Sequence, residues 1–385
     1  MLIGFTVENF RSFLGETSLS MKATTDKEHR AFNVMSAQSG DLLKNVLIYG
    51  ANASGKSNLI HALYYMKKMV SSPFDAQTEL IKTCQPFTFL KEAANTPSRF
   101  EIFFEEDGVV YDYAFDILGG KISREYLYKK SQRKTLVFER TAPGYESIKL
   151  TADMTDVEPL KKNVREDVLF LTWAAYANNK LAIKIVDWFA NKLMIFGLNG
   201  YDRVKSDSVS DFAQNFVRKA DSDILEMKSQ KDGYYSSHTL YSGDWNNTGS
   251  VDVPFAKYSS DGTKRMFELS DAFYKALAGS AVIVIDELDL HLHPALVRHL
   301  ISLINSVEHN PNNAQLICTT HDVMLLDEDI RRDQIWFVDK DYHGVSCLYA
   351  LSDFKDVRKN SDILKRYLLG VYGAIPDFER GGTNE

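Results

Sequence analysis

The junction at residues 46–69 constrains this chain more than any other feature. Val46-Leu47-Ile48-Tyr49, a short apolar run of the kind that forms a buried strand, leads directly into Gly50-Ala51-Asn52-Ala53-Ser54-Gly55-Lys56-Ser57. Beyond Asn58, the residues Leu59, Ile60, Leu63 and Met66 recur at helical spacing. The loop matches the phosphate-binding pattern Gly-x-x-x-x-Gly-Lys-Ser in full. Its glycines let backbone N–H groups turn inward on phosphates, where a helix N-terminus also favours negative charge. Lys56 is the residue that reaches the β- and γ-phosphates, and the Ser57 hydroxyl is a ligand for Mg2+. The competing explanation is a glycine-rich structural turn, and the strand before it and helix after it argue against that.

A triphosphate site needs acids as well. Val282-Ile283-Val284-Ile285 is an apolar strand ending in Asp286-Glu287. Asp286 is expected to hold Mg2+ through its water shell, and Glu287 to polarise the attacking water. A second such strand, Leu316-Ile317-Cys318, is followed by Thr319-Thr320-His321-Asp322, which places His321 to sense a γ-phosphate. About twenty residues before the acidic strand lies Ser259-Ser260-Asp261-Gly262-Thr263-Lys264-Arg265. A serine and a glycine opening a helix offer hydroxyl and amide donors to an anion. Read locally, the same segment is more simply a serine N-cap with a glycine turn.

The remaining texture is α/β. Residues 1–50 read as short strands. Asp107-Gly108 and Gly119-Gly120 are turn signals around the alternating Tyr111, Tyr113, Phe115 and Ile117, which predicts an antiparallel sheet inserted after the first helix. Leu181–Phe196 and Phe212–Met227 read as amphipathic helices, and Lys228–Gly249 as a long polar loop. Ile335-Trp336-Phe337-Val338 is a further buried strand, and Pro294–Ile304 a helix. The expected division is 1–154 and 251–385 as the two halves of one core, with 155–250 a mainly helical insertion between them.

Bulk composition narrows the function classes. The net charge of −7 removes a DNA-coating protein from consideration, so any nucleic-acid contact must use a partner or a local patch. The densest basic stretch is Lys121, Arg124, Lys129, Lys130, Arg133 and Lys134, interleaved with Tyr126 and Tyr128. It reads first as a solvated face and second as a binding surface. Three dispersed cysteines, no h-region and no apolar run near the ~20 residues of a membrane span point to a reducing, cytoplasmic setting without a membrane partner. His291, His293 and His299 lack the accompanying ligands of a metal site.

In this order the four chemical segments resemble the head of an ABC ATPase, with Walker A, signature, Walker B and switch histidine. The resemblance covers most of the chain except about residues 155–250. It is nearest to the RloA/AbiLi-type, OLD-like branch of bacterial defence ATPases and to the heads of SMC and RecF proteins. The segments that carry it are Phe5-Thr6-Val7-Glu8-Asn9-Phe10-Arg11-Ser12-Phe13, Gly50–Ser57, Asp286-Glu287-Leu288-Asp289-Leu290-His291-Leu292-His293-Pro294 and Tyr367–Pro376. The resemblance implies ATP and Mg2+ as ligands, with Asn58 and Arg11 beside the nucleotide and Gln85 as a candidate metal-side glutamine. It also implies a homodimer or higher homo-oligomer in which Ser260, Asp261 and Gly262 reach, in trans, the γ-phosphate bound by a second subunit. Two departures stand out: Ser259–Thr263 replaces Leu-Ser-Gly-Gly-Gln, and His293 stands where many such heads carry an aspartate.

OLD nucleases carry a nuclease domain after the ATPase, whereas about 64 residues follow His321 here, a strand, a helix and a tail. The expectation is therefore an ATPase with no nuclease domain of its own, gating a separately encoded nuclease-like or toxin effector in an anti-phage, abortive-infection type system. Two alternatives stay open: a DNA-repair head acting directly on DNA, and a nucleotide-locked regulator or antitoxin with little turnover.

Overall fold

The computed structural model describes residues 1–197, 209–327, 330–355 and 362–376; the expected tail past residue 376 lies outside them. Its centre is a six-stranded sheet in the order Leu193–Phe196, Val282–Ile285, Gln315–Thr319, Asn45–Tyr49, Ile335–Lys340, Ser346–Ala350. The first five strands run parallel, and the last pairs antiparallel with Ile335–Lys340.

Both faces of this sheet are covered, which is why its strands read as unbroken apolar runs. Val46, Ile48, Val282, Val284 and Ile317 face one core, and Leu47, Tyr49, Ile283, Ile285, Leu316 and Cys318 face the other. The second face is covered by helices Asp261–Gly279 and Pro294–Asn305. On the first face lies helix Lys56–Ser71, whose Leu59, Ile60, Leu63 and Met66 join the central strands to Phe100 and Phe115 of a second sheet. Each such fully buried side chain contributes about 1.5–3 kcal/mol relative to exposure.

The second sheet has seven antiparallel strands, ordered Ile148–Leu150, Lys134–Arg140, Lys121–Lys130, Val109–Leu118, Ser98–Glu106, Leu2–Glu8, Thr17–Ser20. Turns at Asp107-Gly108 and Gly119-Gly120 join its longest strands, with positive φ at all four residues. The architecture is the expected mixed α/β head with an inserted antiparallel lobe.

Residues 155–250 depart from the expected helical insertion. Helix Lys180–Asp187 passes through one wide turn, Trp188–Lys192, into strand Leu193–Phe196, which pairs with Val282–Ile285 as an edge of the central sheet. Four consecutive apolar residues fit a buried strand and a buried helix turn equally, so periodicity alone misassigns them. The next helix is only Asp211–Arg218. The expected polar loop is a three-stranded antiparallel sheet, Glu226–Gln230, Gly233–Tyr241 and Asn247–Pro254. Seven of the eight residues of its last strand are exposed, so no apolar alternation marks it in the sequence.

Candidate active site

Strands Asn45–Tyr49, Gln315–Thr319 and Val282–Ile285 are parallel neighbours, so the segments after them emerge at one edge of the sheet. That edge is where open α/β sheets bind ligands, and it gathers Gly50–Ser57, Asp286-Glu287 and His321.

The phosphate loop is braced from outside. Gly55 has φ 117°, and a Cβ there would overlap the hydroxyls of Ser346 and Ser12, so only glycine fits. The Ser346 hydroxyl donates to the Ser54 carbonyl at 2.5 Å and its amide to the Ser12 carbonyl at 2.8 Å. Asn58 Nδ2 donates to Ser12 Oγ at 2.8 Å, while Arg11 Nη1 donates to Asn58 Oδ1 at 3.3 Å. Arg11 and Asn58 are thus brought to the loop. Gln85 is brought there by its backbone, whose carbonyl accepts the Arg11 N–H at 2.8 Å; its side chain is exposed.

Lys56 is buried, and its Nζ donates to the carbonyls of Gly50 at 2.7 Å and Ala51 at 3.0 Å. Burial lowers its pKa, opposed by the charges of Asp286, Glu287 and Asp289. Three carboxylates therefore act on one ammonium. The Asp286 carboxylate accepts the Thr319 hydroxyl at 2.6 Å, and the same hydroxyl oxygen accepts the Glu287 N–H at 2.7 Å. Its proton is committed to Asp286, so a lone pair is left for the amide. Glu287 sits at φ 53°, a left-handed conformation costing about 1 kcal/mol or more that takes its side chain out of the strand's alternation. Asp289 accepts the His321 backbone N–H at 3.1 and 3.2 Å, fixing the switch segment to the acidic loop. Partial burial, and then Lys56, hold the His321 pKa below its ordinary value, against Asp289, Glu287 and Asp286. At neutral pH the imidazole is uncharged and keeps one N–H to donate.

The signature segment has its plainer local geometry. Ser260 caps helix Asp261–Gly279, its Oγ accepting the Thr263 N–H at 3.1 Å. Gly262 lies against the backbone carbonyl of His291; a Cβ there would come within 2.7 Å of that oxygen. The neighbours of Ser260 and Gly262 are thus in their own helix and in the loop after Glu287, not in residues 50–57. His293 is a helix cap as well, with Nδ1 accepting the Ala295 N–H at 3.2 Å.

Several residues at this edge escape sequence reasoning. Thr319, Asp289, Ser12 and Ser346 are polar residues of common types whose roles arise from contacts across the fold. His61, one turn into the helix after the loop, has its pKa lowered by burial and Arg11, against Asp286. Arg265, on the signature helix, has its pKa lowered by burial, opposed by Glu268, Glu287 and Asp286.

The donor set suits a nucleoside triphosphate with Mg2+. The buried Ser54 hydroxyl has no hydrogen-bond partner among the described residues, and the Lys56 ammonium rests on loop carbonyls that a phosphate displaces. Among the described residues no group of three or more His, Cys, Asp or Glu is set to hold a metal ion. Mg2+ here would use Ser57, Asp286 and the phosphates themselves, its usual arrangement.

The basic stretch of the lobe is largely paired: Lys121 with Glu166 at 2.7 Å, Arg124 with Glu139 at 3.6 Å, Lys129 with Asp153 at 2.6 Å and Lys134 with Asp112 at 2.5 Å. Arg124 and Lys134 also lie over the rings of Tyr126 and Tyr128. No helix among the described residues is long and apolar enough to cross a membrane.

No curated protein matches the chain at a significant level. A family model does, over residues 46–327, from the strand before Gly50 to just past His321. That span is most of the chain and includes the loop, the acidic strand and His321, so the protein belongs to the P-loop ATPase family described as "AAA domain, putative AbiEii toxin, Type IV TA system".

Proposed function

We propose that this chain is the ATP-hydrolysing subunit of an abortive-infection type anti-phage system, acting as a head-to-tail homodimer that gates a separately encoded nuclease-like or toxin effector. The family description, with its words toxin and type IV TA system, supports that setting. The observation that carries the chemistry is the Thr319 hydroxyl clamp, which orients Asp286 and Glu287 together at the edge where Lys56 and His321 stand.

Lys56 leaves the Gly50 and Ala51 carbonyls to neutralise the β- and γ-phosphates. Glu287 orients the attacking water and accepts its proton, and neutral His321 donates to the γ-phosphate. Mg2+ held by Ser57 and Asp286 would supply neutralisation of the phosphate charge. Ser260, Asp261 and Gly262 of one subunit close on the γ-phosphate of the other, with the cap at Ser260 keeping the helix N-terminus formed. Arg265 on that helix lies in the field of Glu287 and Asp286, which supports a link between closure and the acidic pair. The pairing of the basic stretch disfavours direct action on DNA.

Phosphate release and sedimentation with ATP test this reading in the parent and in Glu287→Gln. The expected result is ATP-dependent dimerisation of both, with hydrolysis by the variant at least ~100-fold slower. A variant as fast as the parent, or a parent that stays monomeric with ATP, overturns it.

A further inference from the structure

The geometry points to a base-stacking platform beside the phosphate loop, formed by Tyr342 and Phe89, that takes the purine ring of the bound nucleoside triphosphate by its face. This rests on the proposed nucleotide site and adds how the base is held.

Strand Ile335–Lys340 runs parallel to the phosphate-loop strand, with Phe337 opposite Tyr49, so the turn at residues 341–345 projects from the same sheet edge as Gly50–Ser57. The turn stands beside the loop. Val338 O lies against Gly50, and Ser346, where the returning strand begins, bonds to Ser54 O. Gly344 is two residues before Ser346, about 7 Å of extended chain. A Cβ on Gly344 would meet the Phe89 ring at 2.8 Å, so that ring stands next to the turn. Phe89 is held edge-on by Phe87 at 5.8 Å, and the Phe87 N–H is fixed by Asn9, two residues from Arg11.

Lone exposed aromatics are ordinary. Of the three most exposed aromatic side chains among the described residues, however, two are Tyr342 at 85% and Phe89 at 76%, both at this corner. Tyr342 is backed by the His343 ring at 3.8 Å. Asp341 Oδ1 accepts the His343 and Val345 N–H groups at 2.9 and 2.8 Å, which fixes the turn that carries Tyr342. A platform of this kind discriminates by ring area, because every base presents a π-face. Adenine and guanine nucleotides are accepted alike, and pyrimidines less well.

Calorimetric titration of the full chain with AMP-PNP, GMP-PNP and inorganic triphosphate tests the platform. In Tyr342→Ala/Phe89→Ala both purine analogues are expected to lose about tenfold in affinity, with triphosphate unchanged and Tyr342→Phe like the parent. Unchanged AMP-PNP affinity overturns the platform and leaves the nucleotide site intact. An equal loss for triphosphate overturns it too, because it signals a disturbed loop. A parent that binds none of the three probes overturns both the platform and the reading it rests on.

Discussion

Two clusters of charge in this protein, one in the antiparallel lobe and one at the edge of the parallel sheet, are built in opposite ways. In the antiparallel lobe, Glu125 lies directly across the sheet from Arg140, and both are fully buried. Glu125 accepts from Tyr113 Oη at 3.0 Å and from the N–H groups of Phe170 and Leu171 at 2.6 and 2.9 Å. Arg140 donates to the carbonyls of Val168 and Arg165 at 3.0 and 3.2 Å. One charge of each sign, each ringed by fixed partners, makes a closed unit that fastens the start of helix Phe170–Tyr176 to the lobe. At the edge of the parallel sheet, Asp286, Glu287 and Asp289 act on Lys56, and Glu287 and Asp286 also on Arg265, three carboxylates against two cations. That cluster carries excess negative charge and an ammonium resting on carbonyls, which leaves it open to a cation and phosphates. A balanced buried pair holds a fold; an unbalanced one at a strand edge awaits a ligand.

The largest expected effect breaks the closed cluster. Glu125→Ala leaves Arg140 buried without its countercharge and should cost about 3–5 kcal/mol in urea denaturation. Hydrolysis per folded molecule should be unchanged. Exchanging both residues for apolar ones of similar volume should recover most of the loss. If Glu125→Ala instead lowers the turnover of folded protein, the two clusters are coupled and the contrast between them fails.

Thr319→Val attacks the open cluster without touching a charge. It removes the donor to Asp286 and the acceptor for the Glu287 N–H, with a stability cost of about 1–3 kcal/mol. Hydrolysis should fall ~10–100-fold through misoriented carboxylates, and Thr319→Ser should restore it. Loss of stability with full turnover would make the clamp a fold element only.

The smallest effect is a pH dependence. Because the folded protein holds the His321 pKa below its ordinary value of 6.5, the neutral form is the one favoured by folding. Above 6.5 this contribution is fully present. As pH falls through 6.5 toward the lowered value, the unfolded chain takes up the proton first and the contribution is lost. His61 and His299, also lowered, act with the same sign. The difference in urea midpoint between the parent and His321→Asn should therefore change between pH 7.5 and pH 5.5. A constant difference would show that His321 titrates as a free imidazole.

The chemistry-bearing strands are legible because their signals are local. An apolar run, a glycine loop and a 3.6-residue period occupy contiguous residues, and two apolar strands each end in the groups that matter. The lobe is legible for the same reason: its alternation and its turns at Asp107-Gly108 and Gly119-Gly120 lie next to one another. Strand Leu193–Phe196 and the sheet of 226–254 are not, since one is apolar on both faces, while the other buries mainly Met227 and the polar Ser236 and Ser237 and leaves its last strand exposed, so neither shows an apolar period of two.

Within the site, the sequence by itself determined which groups bear charge and that they follow parallel strands. Only the tertiary structure decided how they are held. Ser346 braces Ser54 from 292 residues away, and Thr319 joins Asp286 across 33. A hydroxyl has no periodicity and no preferred spacing from its partner, so its role exists only once the sheet order has placed it. The same sheet order puts the strand that leads to Tyr342 next to the phosphate-loop strand, although nearly 300 residues separate them in the chain.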